Sequence, residues 1–196
     1  ALNLYSTYKL ELGKHKASVM AGFNQENSWY GYLNTSIDQQ AVPTVPSFGG
    51  GTGTKNISEG YTEYAIRGAF GRLTYSYDDK YLLTANMRYD GSSKFPKENR
   101  FGFFPSVSVG WRLGQENFMD WSREWLDDFK LRASYGSIGN QNIGAYGYIA
   151  SMGIGQTTTW LDKGDKVTYI SVPGLVRANY TWETVTTLDF GFDLNM

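Results

Sequence analysis

The side chains that most often perform chemistry in proteins are scarce in this sequence. Its 196 residues include no cysteine and a single histidine, His15, which lies between Lys14 and Lys16 beside a turn signal. Without cysteine there is no thiolate to bind a metal or attack a substrate, and one histidine cannot build a multi-histidine metal site or a proton relay. No nucleophile with a neighbouring base can be proposed, so we expect no enzymatic activity, no cofactor and no metal site.

Several short motifs have simple structural interpretations. Residues 49–53 (GGGTG) lack the Gly-Lys-Ser/Thr ending of a phosphate loop, which favours a flexible outer loop. Residues 90–93 (DGSS) offer one carboxylate where a calcium loop needs a series, so a turn is predicted. The acid pairs at 116/120 and 127/128 are interpreted as solvated side chains rather than glycosidase carboxylates. The amide-rich run 139–142 (GNQN) is expected to organise a loop through side-chain-to-backbone bonds.

One binding chemistry remains open, and it is carried by aromatic side chains. Aromatic residues make up 16% of the chain. Six of them lie in or near the long connections and are candidate ligand-binding residues: Trp29, Tyr30, Tyr32, Tyr146, Tyr148 and Trp160. Amphipathic rings of this kind stack on sugar rings or on peptide side chains. The alternative is that these rings pack the loops against each other or against a partner protein.

Alternating hydrophobicity predicts the elements that must position these residues. In residues 81–89, 106–113 and 130–136 the odd positions are apolar or aromatic, and the even positions include the polar and charged residues, such as Thr84, Asn86 and Arg88. A period of two places the two sets on opposite faces of a sheet. The same reasoning predicts about seven strands, at 2–12, 16–25, 61–77, 81–89, 104–113, 130–136 and 184–194.

The connections between these strands alternate in length. Residues 13–14 and 78–80 are short turns, whereas residues 28–60 lose the alternation and are predicted to be a long structureless connection. Residues 90–103 are predicted to be a loop, and 114–129 one or two helical turns packed under the sheet. Short turns on one side and longer loops on the other are typical of an up-and-down transmembrane β-barrel. A soluble β-sandwich predicts the same alternation within strands, and loop lengths and aromatic content favour the barrel.

Charge placement indicates which face would meet lipid. Six charged residues lie on the more polar side of their strands: Arg72, Arg88, Arg112, Arg132, Asp189 and Asp193. A basic side chain on the lipid face near the midplane costs about 2–4 kcal/mol. We therefore expect a charged lumen, an apolar outer surface and a girdle of Tyr and Trp near the strand ends. The net charge is −1 without a basic cluster, so nucleic-acid binding is not expected.

Four long stretches resemble a known family when taken together. They are 71–95 (GRLTYSYDDKYLLTANMRYDGSSKF), 100–119 (RFGFFPSVSVGWRLGQENFM), 129–143 (FKLRASYGSIGNQNI) and 179–194 (NYTWETVTTLDFGFDL). In this order and at these separations they closely resemble the C-terminal barrel region of the SusC/RagA family of TonB-linked outer-membrane transporters. Phe129 stands where the family often has Leu, and residues 179–181 (NYT) depart from its Asn-Pro-(Asp/Glu)-Leu. The likeness covers 60–150 and 179–194, whereas the loops 28–60 and 150–178 match nothing.

The resemblance implies a barrel of about 22 strands with a plugged lumen in the outer membrane of a Gram-negative cell. It implies import of oligosaccharides or glycans, with peptides as the alternative substrate. The implied partners are a SusD-like lipoprotein that caps the outer mouth, the TonB–ExbB–ExbD complex as energy source, and outer-membrane lipid. Residues 1–196 are then expected to be part of that barrel, with the plug domain and the remaining strands outside them. The competing hypothesis is a soluble or surface β-sandwich that binds carbohydrate or acts as an adhesin.

Overall fold

Most of the described residues lie in β-strands. The computed structural model describes residues 1–122, 125–126, 128–162, 165–177 and 179–195, with side chains described for all of these except 122, 157–162 and 165–166. The strands are β1 (Leu2–Leu12), β2 (His15–Ile37), β3 (Lys55–Tyr77), β4 (Tyr81–Ser92), β5 (Phe101–Arg112), β6 (Asp128–Asn140), β7 (Ile154–Asp162), β8 (Asp165–Ile170) and β9 (Glu183–Asn195). Short 3₁₀ helices cover Phe48–Gly50, Lys97–Asn99, Leu113–Gln115 and Asn117–Ser122.

Seven of these strands form one sheet in the order β1-β2-β3-β4-β5-β6-β9, and β7 pairs with β8 in a separate hairpin. Successive strands of the sheet are neighbours, so the predicted up-and-down arrangement of about seven strands is confirmed. Residues divide into two units, one of Ala1–Glu26 with Ala65–Met196 and one of Asn27–Tyr64. Within the described ranges no helix is long and apolar enough to cross a membrane.

Two tight turns lie at the same end of the sheet, which we call the short-turn end. The turn at 13–14 uses Gly13 at φ 58°, and the turn at 78–80 uses Asp78 and Asp79, both at φ 53°. A two-residue hairpin turn with positive φ at its first central position favours glycine there, and aspartate tolerates positive φ better than most residues. The turns are also tied together, because Asp78 N donates to Lys14 O at 2.7 Å and Lys14 Nζ lies 2.8 Å from Asp78 Oδ2. We call the opposite end of the sheet the long-loop end.

One face of the sheet is a continuous apolar surface. Its central row runs across five strands in direct register, through Leu73, Ala85, Val107, Tyr135 and Leu188. Val107 is 40% exposed, Tyr135 51% and Leu188 60%, which are high values for large apolar side chains. Soluble monomers rarely leave such a contiguous patch open to water. The sandwich hypothesis requires a second sheet packed on this face, and among the described residues no such sheet covers it.

Aromatic side chains border this apolar face at both ends. At the short-turn end the rings of Tyr81 and Trp111 stack at 6.1 Å, and at the long-loop end Tyr89 and Phe101 stack at 5.2 Å. Tyr81 and Tyr89 are eight residues apart on β4, which is about 27 Å along a strand. With the tilt of about 40° usual for barrel strands, the rows are about 20 Å apart across a bilayer, close to the apolar band of such barrels.

The protein has almost no conventional core. In the part of the chain that the structure describes, the buried hydrophobic side chains are Phe95, Phe104 and Leu126. A sheet with one open apolar face and so few buried side chains cannot gain its stability from its own packing in water. The apolar face needs an apolar medium, as a barrel wall has in a membrane.

The longest predicted loop is mostly strand, and the prediction for 28–60 was wrong. β2 continues to Ile37 and β3 begins at Lys55, so only 38–54 connect them. That connection is itself closed by hydrogen bonds, such as Ser47 Oγ accepting from Gly50 N at 3.0 Å. Alternating hydrophobicity arises only where one face is apolar. We attribute the lost pattern to strand extensions that have water on both faces.

Three other predicted boundaries also differ. The DGSS turn at 90–93 is instead mostly strand, since β4 runs to Ser92. Residues 150–178 contain the β7–β8 hairpin. The helical segment is present only as short 3₁₀ turns, and its aromatic side chains do not pack under the sheet, since Trp121 is 69% and Trp125 54% exposed. The helix is predicted from the near-helical spacing of Phe118, Trp121, Trp125 and Leu126, and of these four only Leu126 is buried.

Candidate functional site

The polar face of the sheet, opposite the apolar one, carries hydroxyl and amide groups in register. One row across β3, β4, β5, β6 and β9 consists of Thr74, Thr84, Ser108, Ser134 and Asp189. In the next row Arg72 Nε donates to Asn86 Oδ1 at 2.7 Å, and Asn86 Nδ2 donates to Ser106 Oγ at 3.2 Å. These cross-strand bonds hold the side chains against the sheet and leave a surface of hydrogen-bonding groups.

An ion pair organises this face toward the long-loop end. Arg88 donates from Nε to Asp90 Oδ2 at 2.9 Å and from a terminal nitrogen to Asp90 Oδ1 at 2.8 Å. The Asp90 side chain is 12% exposed, whereas that of Arg88 is 47% exposed. A Cβ on Gly68 would overlap Asp90 Oδ1, so glycine leaves room for the carboxylate. The fork geometry fixes the guanidinium and keeps part of it accessible on the polar face.

The charged residues assigned to the polar side from the sequence are found there together. Arg132 and Lys130 both approach Asp193, at 3.7 and 3.3 Å. Arg112 lies 4.0 Å from Asp128. Two shallow cavities of about 540 and 510 Å³ lie on this face, and both are lined by part of the hydroxyl row. Lys130 and Arg132 line the first, and Arg88 and Asp90 line the second. Because cations and anions are interleaved, this surface suits a polar solute or polypeptide rather than an ion of one sign.

A cluster of five aromatic rings closes the long-loop end, and we call it the loop cluster: Phe95, Phe104, Tyr148, Tyr180 and Trp182. Its centre is Phe95, which is fully buried and lies 5.1 Å from the Trp182 ring. Trp182 Nε1 donates to the backbone O of Arg100 at 3.0 Å, so the polar atom of the ring is satisfied. The cluster joins the connections β4–β5, β6–β7 and β8–β9. The last of these contains residues 179–181, which depart from the family pattern.

The sequence did not single out this cluster, although one signal was present. Phe95 is the lone large apolar residue in the charged stretch 94–100 (KFPKENR), and such a residue is usually buried. Its partners come from residues more than eighty positions away, which no local pattern identifies. The amide-rich run behaves as predicted, because Asn142 N donates to Asn140 Oδ1 at 2.9 Å.

The structure separates the six predicted ligand-binding aromatics into different settings. In the unit Asn27–Tyr64, Tyr30 and Tyr32 lie on one face of β2 with ring centroids 6.3 Å apart. Tyr32 covers Gly60, where an added Cβ would overlap its ring. Trp29 precedes them at an odd position, so it lies on the opposite face of β2, where it is 72% exposed.

The remaining three aromatics lie in the other unit. Tyr148 belongs to the loop cluster, with its ring 6.5 Å from Tyr180. Tyr146 is 47% exposed and has φ 65°, an uncommon conformation for a bulky residue. The side chain of Trp160 is outside the described residues. Among the five candidates whose side chains are described, Trp29, Tyr30 and Tyr146 are therefore the most exposed.

Glu116 is a second feature that sequence reasoning missed, since it was interpreted as solvated. Its side chain is 15% exposed and accepts hydrogen bonds from Trp111 Nε1 at 3.0 Å and from Tyr81 OH at 2.8 Å. Lys80 Nζ lies 3.4 Å away. The hydrogen bonds from Trp111 and Tyr81, followed by that from Lys80, lower the pKa of the Glu116 carboxyl below its ordinary value. A single carboxylate thus fixes the polar atoms of two rings in the aromatic row.

Metal chemistry has no visible site in the described ranges, where no group of three His, Cys, Asp or Glu side chains is placed to hold an ion. The arrangement instead consists of an open apolar face between aromatic rows, a polar face with hydrogen-bonding groups, and loops gathered at one end. These are the features of a transmembrane barrel wall, whose strands alternate between lipid-facing and lumen-facing side chains.

The family model described as TonB dependent receptor-like, beta-barrel, matches residues 2–196, and the chain belongs to this family. Proteins of this family are outer-membrane proteins of Gram-negative bacteria, and the resemblance inferred from the four sequence stretches is confirmed.

Similarity to individual proteins supports the same assignment. The chain is 39% identical over 144 residues to TonB-dependent receptor P26 of Formosa agariphila, covering 73% of this chain and 14% of that protein. It is 33% identical over 205 residues to TonB-dependent receptor SusC of Bacteroides thetaiotaomicron, covering 97% and 19%. The solved structure of the RagAB peptide transporter superposes on 98% of this chain and 21% of that chain, with a TM-score of 0.82 at 22% identity, which shows the same fold. The chain therefore spans about a fifth or less of the length of these proteins.

Proposed function

We propose that this chain forms part of the barrel wall of a TonB-dependent importer in the outer membrane of a Gram-negative cell. The observation that carries the proposal is the two-faced sheet, with an open apolar surface between two aromatic rows and a charged, hydrogen-bonding surface behind it. Lipid would contact the apolar surface, and a hydrated lumen would solvate the charged surface. The role of the chain is then structural and selective rather than catalytic.

The plug domain and the other strands of the barrel would lie outside these residues. Two observations support this part of the proposal. The chain covers 14% and 19% of the two relatives, and the strands β1 and β9 are the outer strands of the described sheet. Open strand edges are unfavourable within lipid, where every backbone group needs a partner. Further strands of the same barrel would supply those partners.

For the substrate we propose an oligosaccharide, taken up with a SusD-like lipoprotein at the outer mouth and with energy from the TonB–ExbB–ExbD complex. In the unit Asn27–Tyr64, exposed rings such as Trp29 and Tyr30 supply stacking surfaces for sugars. Within the other unit, the row of hydroxyls offers groups that exchange hydrogen bonds with a polyol. A peptide is the second candidate, since the solved RagAB structure is that of a peptide transporter. At 22% identity that structure supports the fold rather than the substrate.

Uptake by cells that carry the full-length protein tests this proposal. Fluorescent oligosaccharides and fluorescent peptides are supplied separately to the wild type, to a strain without the gene, and to a strain without the TonB complex. We expect oligosaccharide uptake that needs both the gene and the TonB complex. Peptide uptake with the same dependence would replace the substrate proposal, and uptake independent of the TonB complex would contradict the importer.

A matched pair of variants tests the role of the loop aromatics. Trp29→Ala removes an exposed ring, and Leu33→Ala removes an aliphatic side chain that is 65% exposed at an equivalent position of the same strand face. Aromatic contacts contribute about 0.5–1.5 kcal/mol beyond their area, so Trp29→Ala should raise the half-saturating concentration about 2- to 10-fold. Leu33→Ala should leave it unchanged. Equal behaviour of the two variants would remove Trp29 from the ligand site.

A further inference from the structure

The connection between β5 and β6 contains large aromatic side chains that lie outside the strands and are exposed. We propose that residues 117–122 and 125–126, here called the aromatic segment, form an anchor that lies in the headgroup region of the bilayer at the short-turn end. Its partner is phospholipid, contacted by Phe118, Trp121 and Trp125. The proposal rests on the proposed function, because it takes the apolar face of the sheet to be in contact with lipid.

The exposure of these side chains is the first observation. Phe118 is 61% exposed, Trp121 69% and Trp125 54%. The rings of Trp121 and Trp125 lie 6.0 Å apart, so they form one patch rather than isolated surface residues. Leu126, in contrast, is 4% exposed and holds the end of the segment to the fold. The segment is thus fastened at one end and presents its largest apolar surface outward.

The position of the segment is the second observation. The Tyr81 and Trp111 rings belong to the apolar face, at the border nearest the short turns. Glu116 binds the polar atoms of both rings, so its carboxylate marks the edge of the lipid-facing surface. The 3₁₀ helix Asn117–Ser122 begins at the next residue. Met119 N donates to Glu116 O at 2.9 Å, so the start of the segment is held at this border.

The chemistry of the segment identifies the depth at which it would lie. Tryptophan prefers the membrane interface, because its ring is apolar while its N–H seeks a polar partner. Asn117 and Asp120 stand among the aromatic positions, and such polar groups keep a segment out of the hydrocarbon. A short segment that combines exposed apolar rings with polar groups is typical of an interfacial anchor.

Site-directed spin labelling locates the segment relative to the bilayer. These 196 residues contain no cysteine, so single variants are straightforward once any cysteine elsewhere in the full-length protein has been replaced. Nitroxide labels are placed at Trp121→Cys and Trp125→Cys, with Val107→Cys as the lipid reference and Lys14→Cys as the water reference. The labelled protein is reconstituted in vesicles of phosphatidylethanolamine and phosphatidylglycerol, and collisions with oxygen and with a water-soluble nickel chelate are measured.

We expect the labels at 121 and 125 to collide severalfold more often with oxygen than with the chelate, at a depth between the two references. If they match Lys14→Cys while Val107→Cys reports lipid, the anchor is wrong and the barrel wall stands. If they are shielded from both reagents, a protein surface covers the segment, and the lipid partner is wrong. If Val107→Cys itself reports water, the proposed function fails and the anchor fails with it.

Discussion

An arginine at position 107 is the sharpest test of the two-faced sheet. Val107 is 40% exposed in the central row of the apolar face, between Ala85 and Tyr135 in the neighbouring strands. It is four residues from Trp111 in one aromatic row and four from Phe103 at the other. At about 3.4 Å per residue and a tilt of about 40°, it lies about 10 Å from either border of the apolar band.

The expected cost follows from that depth. Arginine on the lipid face costs about 2–4 kcal/mol at the midplane and about 0–1 kcal/mol near the interfaces. At about 1.4 kcal/mol per factor of ten, Val107→Arg should lower the folding equilibrium constant about 30- to 700-fold. Phe103→Arg, at the border, should lower it less than about tenfold through the charge alone. Ser108→Arg places the same side chain on the polar face and should change it little.

The assay is folding of the full-length protein into phospholipid vesicles from urea. The folded fraction is measured by the resistance of the barrel to heat in gel electrophoresis and by protease protection. The depth dependence is the decisive part of the result. Equal losses for Val107→Arg and Phe103→Arg would indicate a protein-covered face, and equal losses for Val107→Arg and Ser108→Arg would refute the assignment of the two faces.

Three further predictions concern the contacts that hold the ends of the wall. Phe95→Ala should cost about 3–5 kcal/mol, because it empties the centre of the loop cluster, whereas Phe48→Ala, at a 63% exposed position, should be nearly neutral in the same denaturation assay. Asp90→Asn should lower the free energy of unfolding by about 1.5–3 kcal/mol, because it weakens the hydrogen bonds that hold the Arg88 guanidinium. Asp189→Asn, at an exposed position, should lower it less. Glu116 has a lowered pKa, so its contribution is fully present above the ordinary pKa of a glutamate, about 4.3, and is lost as the pH falls through the lowered value. Unfolding midpoints of the wild type should therefore exceed those of Glu116→Gln from pH 7 to 5 and converge with them in stronger acid, and a constant difference at all pH values would contradict the carboxylate's role.

The parts of the fold that local patterns predicted share a physical cause. Alternation between Val107 and Ser108, or between Leu131 and Arg132, is a property of neighbouring residues, because a strand turns each successive side chain to the opposite face. The two turns at 13–14 and 78–80 were also predicted from local sequence, because glycine and aspartate are residues that adopt the positive φ found there. The polar side assigned to Arg72, Arg88 and Arg132 is confirmed for the same reason.

The parts that were missed depend on contacts between distant residues or on the solvent at each face. The continuation of β2 to Ile37 carries no alternation, because the signal vanishes where neither face is apolar. The role of Glu116 depends on its hydrogen bond with Tyr81, which is thirty-five positions away in the chain. Which of the predicted aromatics bind a ligand is still a prediction, although the structure already places Tyr148 in the loop cluster and Trp29 apart from Tyr30 and Tyr32.

The sequence by itself determined that this protein is a two-faced antiparallel sheet with tight turns at one end, because period-two patterning and turn chemistry act over a few residues. Only the tertiary structure decided how far the strands extend, which carboxylate fixes the aromatic row, and how Phe95 and Trp182 meet across eighty-seven positions. Such pairings form when strands far apart in the chain are brought together in the sheet, and no local pattern contains that information.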